Sequence, residues 1–148
     1  PGLTIEAAAD RIRAQGGLVY APHPFAYLTK ADWRAHRVAA VADLVEVFNS
    51  RAFMPAWNQK AVELANSFKL PAAASSDAHF PWELGRAYTE VPEFSTAADL
   101  SDSLESAQPC GVSTGSAWLH VASALIAKSR GMRRTASNHS VRLSTSTD

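Results

Sequence analysis

Residues 44–79, LVEVFNSRAFMPAWNQKAVELANSFKLPAAASSDAH, decide the fold. They open on a continuous apolar run, Leu44 to Phe48, and leave it through Asn49-Ser50-Arg51. Pro55 suits the first turn of a helix, and Ala56 to Lys69 reads as that helix, with Ala61, Leu64, Ala65 and Phe68 as its apolar stripe. Pro71 to Ala74 begins a second apolar run, which exits through Ser75-Ser76-Asp77-Ala78-His79. Strand, helix and strand at this length make a βαβ unit, which implies parallel strands joined by a right-handed crossover. Strands that are apolar throughout, rather than alternating, are expected where both faces of the sheet are covered.

A similar unit precedes this one. Thr4 is placed to cap a helix over about residues 5 to 15, with Ile5, Ala8, Ala9 and Ile12 on one face and Gly16-Gly17 at its end. Leu18 to Ala21 reads as a short buried strand, and Ala31 to Ala42 as a helix with Trp33, Val38 and Val41 available for packing. The strands thus begin near Leu18, Leu44 and Pro71, a spacing of 26 to 27 residues. Beyond them, Ala87 to Val91 is expected to form a further strand, Thr96 to Ala107 an amphipathic helix opened by Thr96, and Ser116 to Lys128 a last helix. The expected fold class is α/β, with parallel strands alternating with helices.

Composition narrows the function classes. A chain of 148 residues with 47% hydrophobic side chains builds an ordinary core, but it is too short for a complete barrel of about 250 residues. Fourteen basic and fourteen acidic groups cancel, which argues against a sequence-independent grip on nucleic acid or an anionic membrane. Cys110 is the single cysteine, so an internal disulfide framework and a multi-cysteine zinc cage are excluded. No apolar run approaches the roughly 18 residues of a membrane span, no signal peptide is visible, and a cytoplasmic location is expected. Residues 129–148 hold Arg130, Arg133, Arg134 and Arg142 against Asp148 alone, in a Ser- and Thr-rich context. They are expected to be a disordered tail.

Chemistry collects at one edge. In parallel α/β sheets ligands sit at the carboxyl ends of the strands. The three exits here are Pro22-His23-Pro24, Asn49-Ser50-Arg51 and Ser75-Ser76-Asp77-Ala78-His79. The connections at the opposite edge, Gly16-Gly17, Asp43 and Lys69, carry little. On an extended strand end, Asp77 and His79 point the same way, so a carboxylate and an imidazole converge on one divalent cation, with His23 as a third ligand from the neighbouring strand. Such donors suit zinc, manganese or iron. The plainer reading of Asp-X-His is an Asp-capped turn beside an exposed histidine. Glu46, in mid-strand, is expected to be an inward polar residue with a partner in the sheet rather than a ligand, and His36 a surface residue of its helix.

These residues carry a resemblance. Gly16 to Phe25, Leu44 to Arg51, Ala74 to His79 and Glu83 to Thr89 resemble, in order and spacing, the C-terminal half of a PHP domain, the polymerase and histidinol phosphatase family of metal-dependent phosphoesterases. The segment from about Phe94 to Lys128 is similar to the PHP-associated region that follows such domains. The resemblance implies a distorted (β/α)7 barrel with two or three divalent metals at the strand ends and hydrolysis of phosphoesters by metal-activated water. It matches His23, Asp77 and His79 to metal ligands. Arg51 and Asn49 are then candidates for substrate binding. Arg51 offers a phosphate its planar fork, the alternative being a solvated surface arginine.

On this resemblance residues 1–93 are the C-terminal half of the barrel, 94–128 the helical extension and 129–148 the tail. The family's N-terminal His-X-His ligands have no counterpart here, so the chain is expected to be the C-terminal portion of a metal-dependent phosphoesterase. Its substrate is expected to be a small phosphorylated molecule, with nucleic acid entering only as substrate and no membrane partner. The rival is a non-catalytic truncated module that associates with itself, with a missing N-terminal part or with a partner protein. A flavodoxin-like nucleotide binder is disfavoured by the lack of a Gly-rich phosphate loop. Of the remaining residues, Cys110, expected in a loop before Gly111, has no base near it in sequence. His120 beside Trp118 reads as packing or capping, and His139 falls in the tail. The four tryptophans, Trp33, Trp57, Trp82 and Trp118, are expected in the core or at its rim, with Phe80 and Trp82 placed to wall a pocket after His79.

Overall fold

The computed structural model describes residues 2–25 and 32–110. Helix α1 (Ile5–Arg13) starts where Thr4 Oγ1 accepts the Ala7 N–H at 3.1 Å. It stops three residues before Gly16, whose φ of 74° is open to glycine at little cost. Strand β1 is only Tyr20–Ala21, two residues shorter at its start than the apolar run. The reason is Asp43: its Oδ2 accepts the Val19 N–H at 2.6 Å, and its own N–H donates to the Val19 carbonyl at 2.8 Å. Arg13 ties the same carboxylate from α1, with Nη2 2.7 Å from Asp43 Oδ1 and 2.7 Å from the Val41 carbonyl. Asp43, at the edge away from the histidines, is thus a structural tie.

Helix α2 (Asp32–Ala39) turns Ala35 and Ala39 into the core, with Val38 and Val41 packed partly against it. Trp33, expected among the packing residues, is exposed instead, with the Arg34 guanidinium 5.3 Å from its ring. Two residues from Ala35 is about 200° around a helix, so both cannot face inward. Helix α3 (Pro55–Phe68) buries Ala61, Leu64 and Ala65, as the stripe predicts, and packs on α2 and on strand β2 (Leu44–Asn49). Strand β3 (Ala72–Ser75) follows. The sheet order is β1-β2-β3, all parallel, with Tyr20 opposite Leu44, Val45 opposite Ala72 and Asn49 opposite Ser75. The core beneath it is small-chained: Ala9, Ala21, Ala35, Ala39, Ala42 and Ala65 surround Val19, Val45, Val47 and Leu64, so helices and strands approach closely.

The chain then changes style. Strand β4 (Tyr88–Glu90) lies where a further strand is expected, but it does not extend the parallel ladder. It pairs antiparallel with β5 (Gln108–Cys110) after helix α4 (Ala97–Leu104). Thr96 caps α4 reciprocally, Thr96 Oγ1 accepting the Asp99 N–H and Asp99 Oδ2 accepting the Thr96 N–H, each at 3.1 Å. Cys110, expected in a loop, ends β5; Pro109 is tolerated there because the strand is short and peripheral. Both strands lie against β3. Thr89 Oγ1 accepts the Ala74 N–H at 2.8 Å and donates to the Ala74 carbonyl at 2.9 Å.

The described residues are therefore mixed α/β, a three-stranded parallel sheet alternating with helices plus a two-stranded ribbon, and they close no barrel. No helix among them is long and apolar enough to cross a membrane. The helix expected at Ser116 to Lys128, the tail at 129–148, and Trp118, His120 and His139 lie outside the described residues.

Candidate functional site

The site begins with an irregularity in β2. The ladder pairs Glu46 with Ala73 but Phe48 with Ala74, so one extra residue, Val47, is inserted. Residues three apart on a regular strand face opposite ways. The bulge cancels one alternation, and Glu46 and Asn49 come to the same side, Asn49 Nδ2 donating to Glu46 Oε2 at 3.2 Å.

Glu46 is 2% exposed and is saturated with donors. Its Oε1 accepts the Ser75 hydroxyl, and its Oε2 accepts the His23 backbone N–H as well as Asn49. The expectation of an inward, partnered glutamate is met, and the partners reach all three strand exits. Burial, with the negative charge of Glu46 beside it, raises the Tyr20 phenol above its ordinary value, so Tyr20 stays a neutral donor. Asn49 is equally occupied: its second amide contact is Asp77 Oδ2 at 3.3 Å, its Oδ1 accepts the Arg51 N–H at 2.8 Å, and Asn58 Oδ1 accepts its backbone N–H at 3.1 Å.

Asp77 and His79 meet, though not by the strand geometry expected. β3 ends at Ser75, and Asp77 has φ 47°, in the left-handed region that Asp enters more readily than most residues. The chain turns there, and His79 Nδ1 lies 2.8 Å from the Asp77 carbonyl and 3.9 Å from Asp77 Oδ1. A ring nitrogen against a carbonyl must carry the proton, which leaves the lone pair on Nε2. His23, at φ 28°, is also in the left-handed range.

Arg51 is buried, at 5% exposure, and its Nη1 stands 2.5 Å from Glu83 Oε1. The alternative of a solvated surface arginine is overturned. Glu83, in a 3₁₀ turn at Pro81–Glu83, was not singled out from sequence, yet it is fully buried. Its Oε2 accepts the N–H groups of His79 and Phe80 at 2.9 Å each. Burial pushes its pKa upward, but the His79 N–H, the Arg51 guanidinium and the Phe80 N–H outweigh that and hold the pKa below its ordinary value. The clue was present in Phe80-Pro81-Trp82-Glu83: a glutamate three residues after a turn entry is the spacing at which it reaches back to backbone N–H groups.

Around His23 lies a small pocket lined by Phe25, Glu46, Asn49, Trp57 and Asn58, with about 10 Å³ of room, on the scale of one water molecule. Phe80 and Trp82 stack at 4.8 Å and 4°, and Trp82 is 63% exposed, so this pair stands at the rim, not in the core. Partial burial and the Glu90 carboxylate push the Cys110 thiol upward, which disfavours the thiolate a nucleophile needs.

A divalent cation is the group the resemblance implies. Among the described residues no three His, Cys, Asp or Glu side chains are drawn together as a ready cage. The donors nonetheless suit such an ion in kind: a half-exposed imidazole with Nε2 available and the Asp77 carboxylate beside it, with His23 on the same sheet edge but past β1, one strand beyond β2.

Fold and site together define a parallel α/β protein with its polar chemistry at the strand carboxyl ends. Residues 55–109 match the family model described as PHP-associated, which is consistent with a PHP-family C-terminal region. An uncharacterized protein of Methanocaldococcus jannaschii is 39% identical over 97 residues, covering 62% of this chain and 41% of the relative. The chain thus spans about two fifths of the length of the curated relative it matches. No solved structure matches it.

Proposed function

We propose that the chain is the C-terminal portion of a cytoplasmic metal-dependent phosphoesterase, with its three βα units forming part of a (β/α)7 barrel. In this proposal His23, Asp77 and His79 are metal ligands for zinc, manganese or iron, and the rest of the longer protein supplies the remaining ligands. The observation that carries it is the placement of these three residues on one edge of the parallel sheet, past the ends of β1 and β3 on either side of β2, in a chain with a PHP-associated region. A divalent cation held there lowers the pKa of bound water and neutralises phosphate oxygens.

The chain's own residues hold the geometry. The Asp77 carbonyl keeps the proton on His79 Nδ1 and so presents Nε2. Asn49 donates to the Asp77 carboxylate and steadies its orientation. Arg51 and Asn49 remain the candidates for the substrate phosphate; Arg51 engages one only by sharing its donors with Glu83. Metal analysis of the purified chain tests the proposal. Zinc, manganese or iron near one equivalent, lost on Asp77→Ala, is expected; a metal content unchanged by Asp77→Ala sinks it.

A second reading has its own observation. β1 stands at an edge of the described sheet, and Phe53, Trp82 and Leu84 are exposed. In this reading the chain is a non-catalytic module that docks on a second copy or on the remainder of a PHP protein. Light scattering combined with an aryl-phosphatase assay separates the two: a metal-loaded monomer with turnover favours the first, and an inactive oligomer the second.

A further inference from the structure

Each histidine-bearing strand exit is fastened from below by a buried carboxylate that lies outside the ligand set. Glu46 accepts the N–H of His23, and Glu83 accepts those of His79 and Phe80. Burying a carboxylate is expensive unless donors fill its lone pairs, and here the donors come from the loops themselves. Those loops need restraint. His23 and Asp77 have φ of 28° and 47°, a region that non-glycine residues hold only when the surroundings insist. We infer that Glu46 and Glu83 are positioning residues that set the imidazoles of His23 and His79 for a divalent cation by gripping the loop backbones. The inference rests on the metal-site reading above. Because His79 Nδ1 is bonded to the Asp77 carbonyl, a fixed loop backbone also fixes where Nε2 points. A loop released from Glu83 spreads that lone pair over many positions, and the affinity for the cation falls.

The test uses the full 148-residue chain and zinc alone as the probe. Glu83→Leu removes both acceptors, Glu83→Gln keeps the size and one acceptor oxygen, and Leu64→Ala, in the buried stripe of α3, is a control for lost stability. Calorimetry is expected to show zinc binding about 10- to 100-fold weaker for Glu83→Leu, the range typical of groups behind the ligands, and an intermediate loss for Glu83→Gln. Amide exchange at His79 and Phe80 is expected to accelerate in step. Leu64→Ala is expected to lower the unfolding midpoint with zinc affinity unchanged. If Glu83→Leu does not fold, Glu83→Gln decides: wild-type affinity together with wild-type amide protection overturns the inference. An equal zinc loss in Leu64→Ala also overturns it, since stability alone would then explain the effect. A wild-type chain that takes up no zinc defeats the metal reading and the inference with it. That pattern is distinct from a zinc-binding wild type with an indifferent Glu83 variant.

Discussion

Glu83 holds a charge where no water reaches it, and that has a consequence in acid. Its folded-state pKa lies below the ordinary value of 4.5. A carboxyl depressed on folding adds stability above its unfolded pKa and loses it as pH falls through the folded one. The stability gap between the wild type and Glu83→Gln is therefore expected to be widest at neutral pH, about 1–3 kcal/mol, and to close as pH drops below 4.5. Urea midpoints across that range measure it; a gap that widens in acid contradicts the assignment. At this scale the strand-exit positions of His23, Asp77 and His79 were legible in sequence because each sits just past an apolar run. For Glu83 only the local reach back to the Phe80 N–H had a sequence clue; its pairing with Arg51, 32 residues away, had none.

At the scale of elements, the parallel ladder follows from the 26–27-residue spacing and the unbroken apolar runs, and α3 was legible almost to its ends. The bulge at Val47 was not, because it depends on which residues of β3 stand opposite, a long-range choice with no local marker. β5 was missed for a local reason: Gln108-Pro109-Cys110 has no strand-forming pattern and is ordered by pairing with β4. Helix α3 is capped after Phe68 by Lys69, left-handed at φ 54° and ψ 42°, where glycine is normally preferred. Lys69→Gly is expected to raise stability by about 0.5–1 kcal/mol, read as a higher urea midpoint. A lower midpoint would show that the lysine side chain contributes more than the backbone relief.

For the whole molecule, the small alanine-rich core and the short β1 leave a sheet with unequal edges. Beyond β3, the Thr89 hydroxyl fills both hydrogen-bonding positions of Ala74. Thr89→Val removes both bonds and strands a part-buried N–H and C=O, which is expected to cost about 1–3 kcal/mol and to speed amide exchange at Ala74. An unchanged exchange rate there counts against this role. The same hydroxyl gives the sheet a direction of growth. An incoming strand finds the donor and acceptor at Ala74 already engaged, but meets the backbone of Tyr20 and Ala21 at the other side. Among the described residues, one threonine hydroxyl thus leaves the sheet closed at Ala74 on one side and open along β1 on the other.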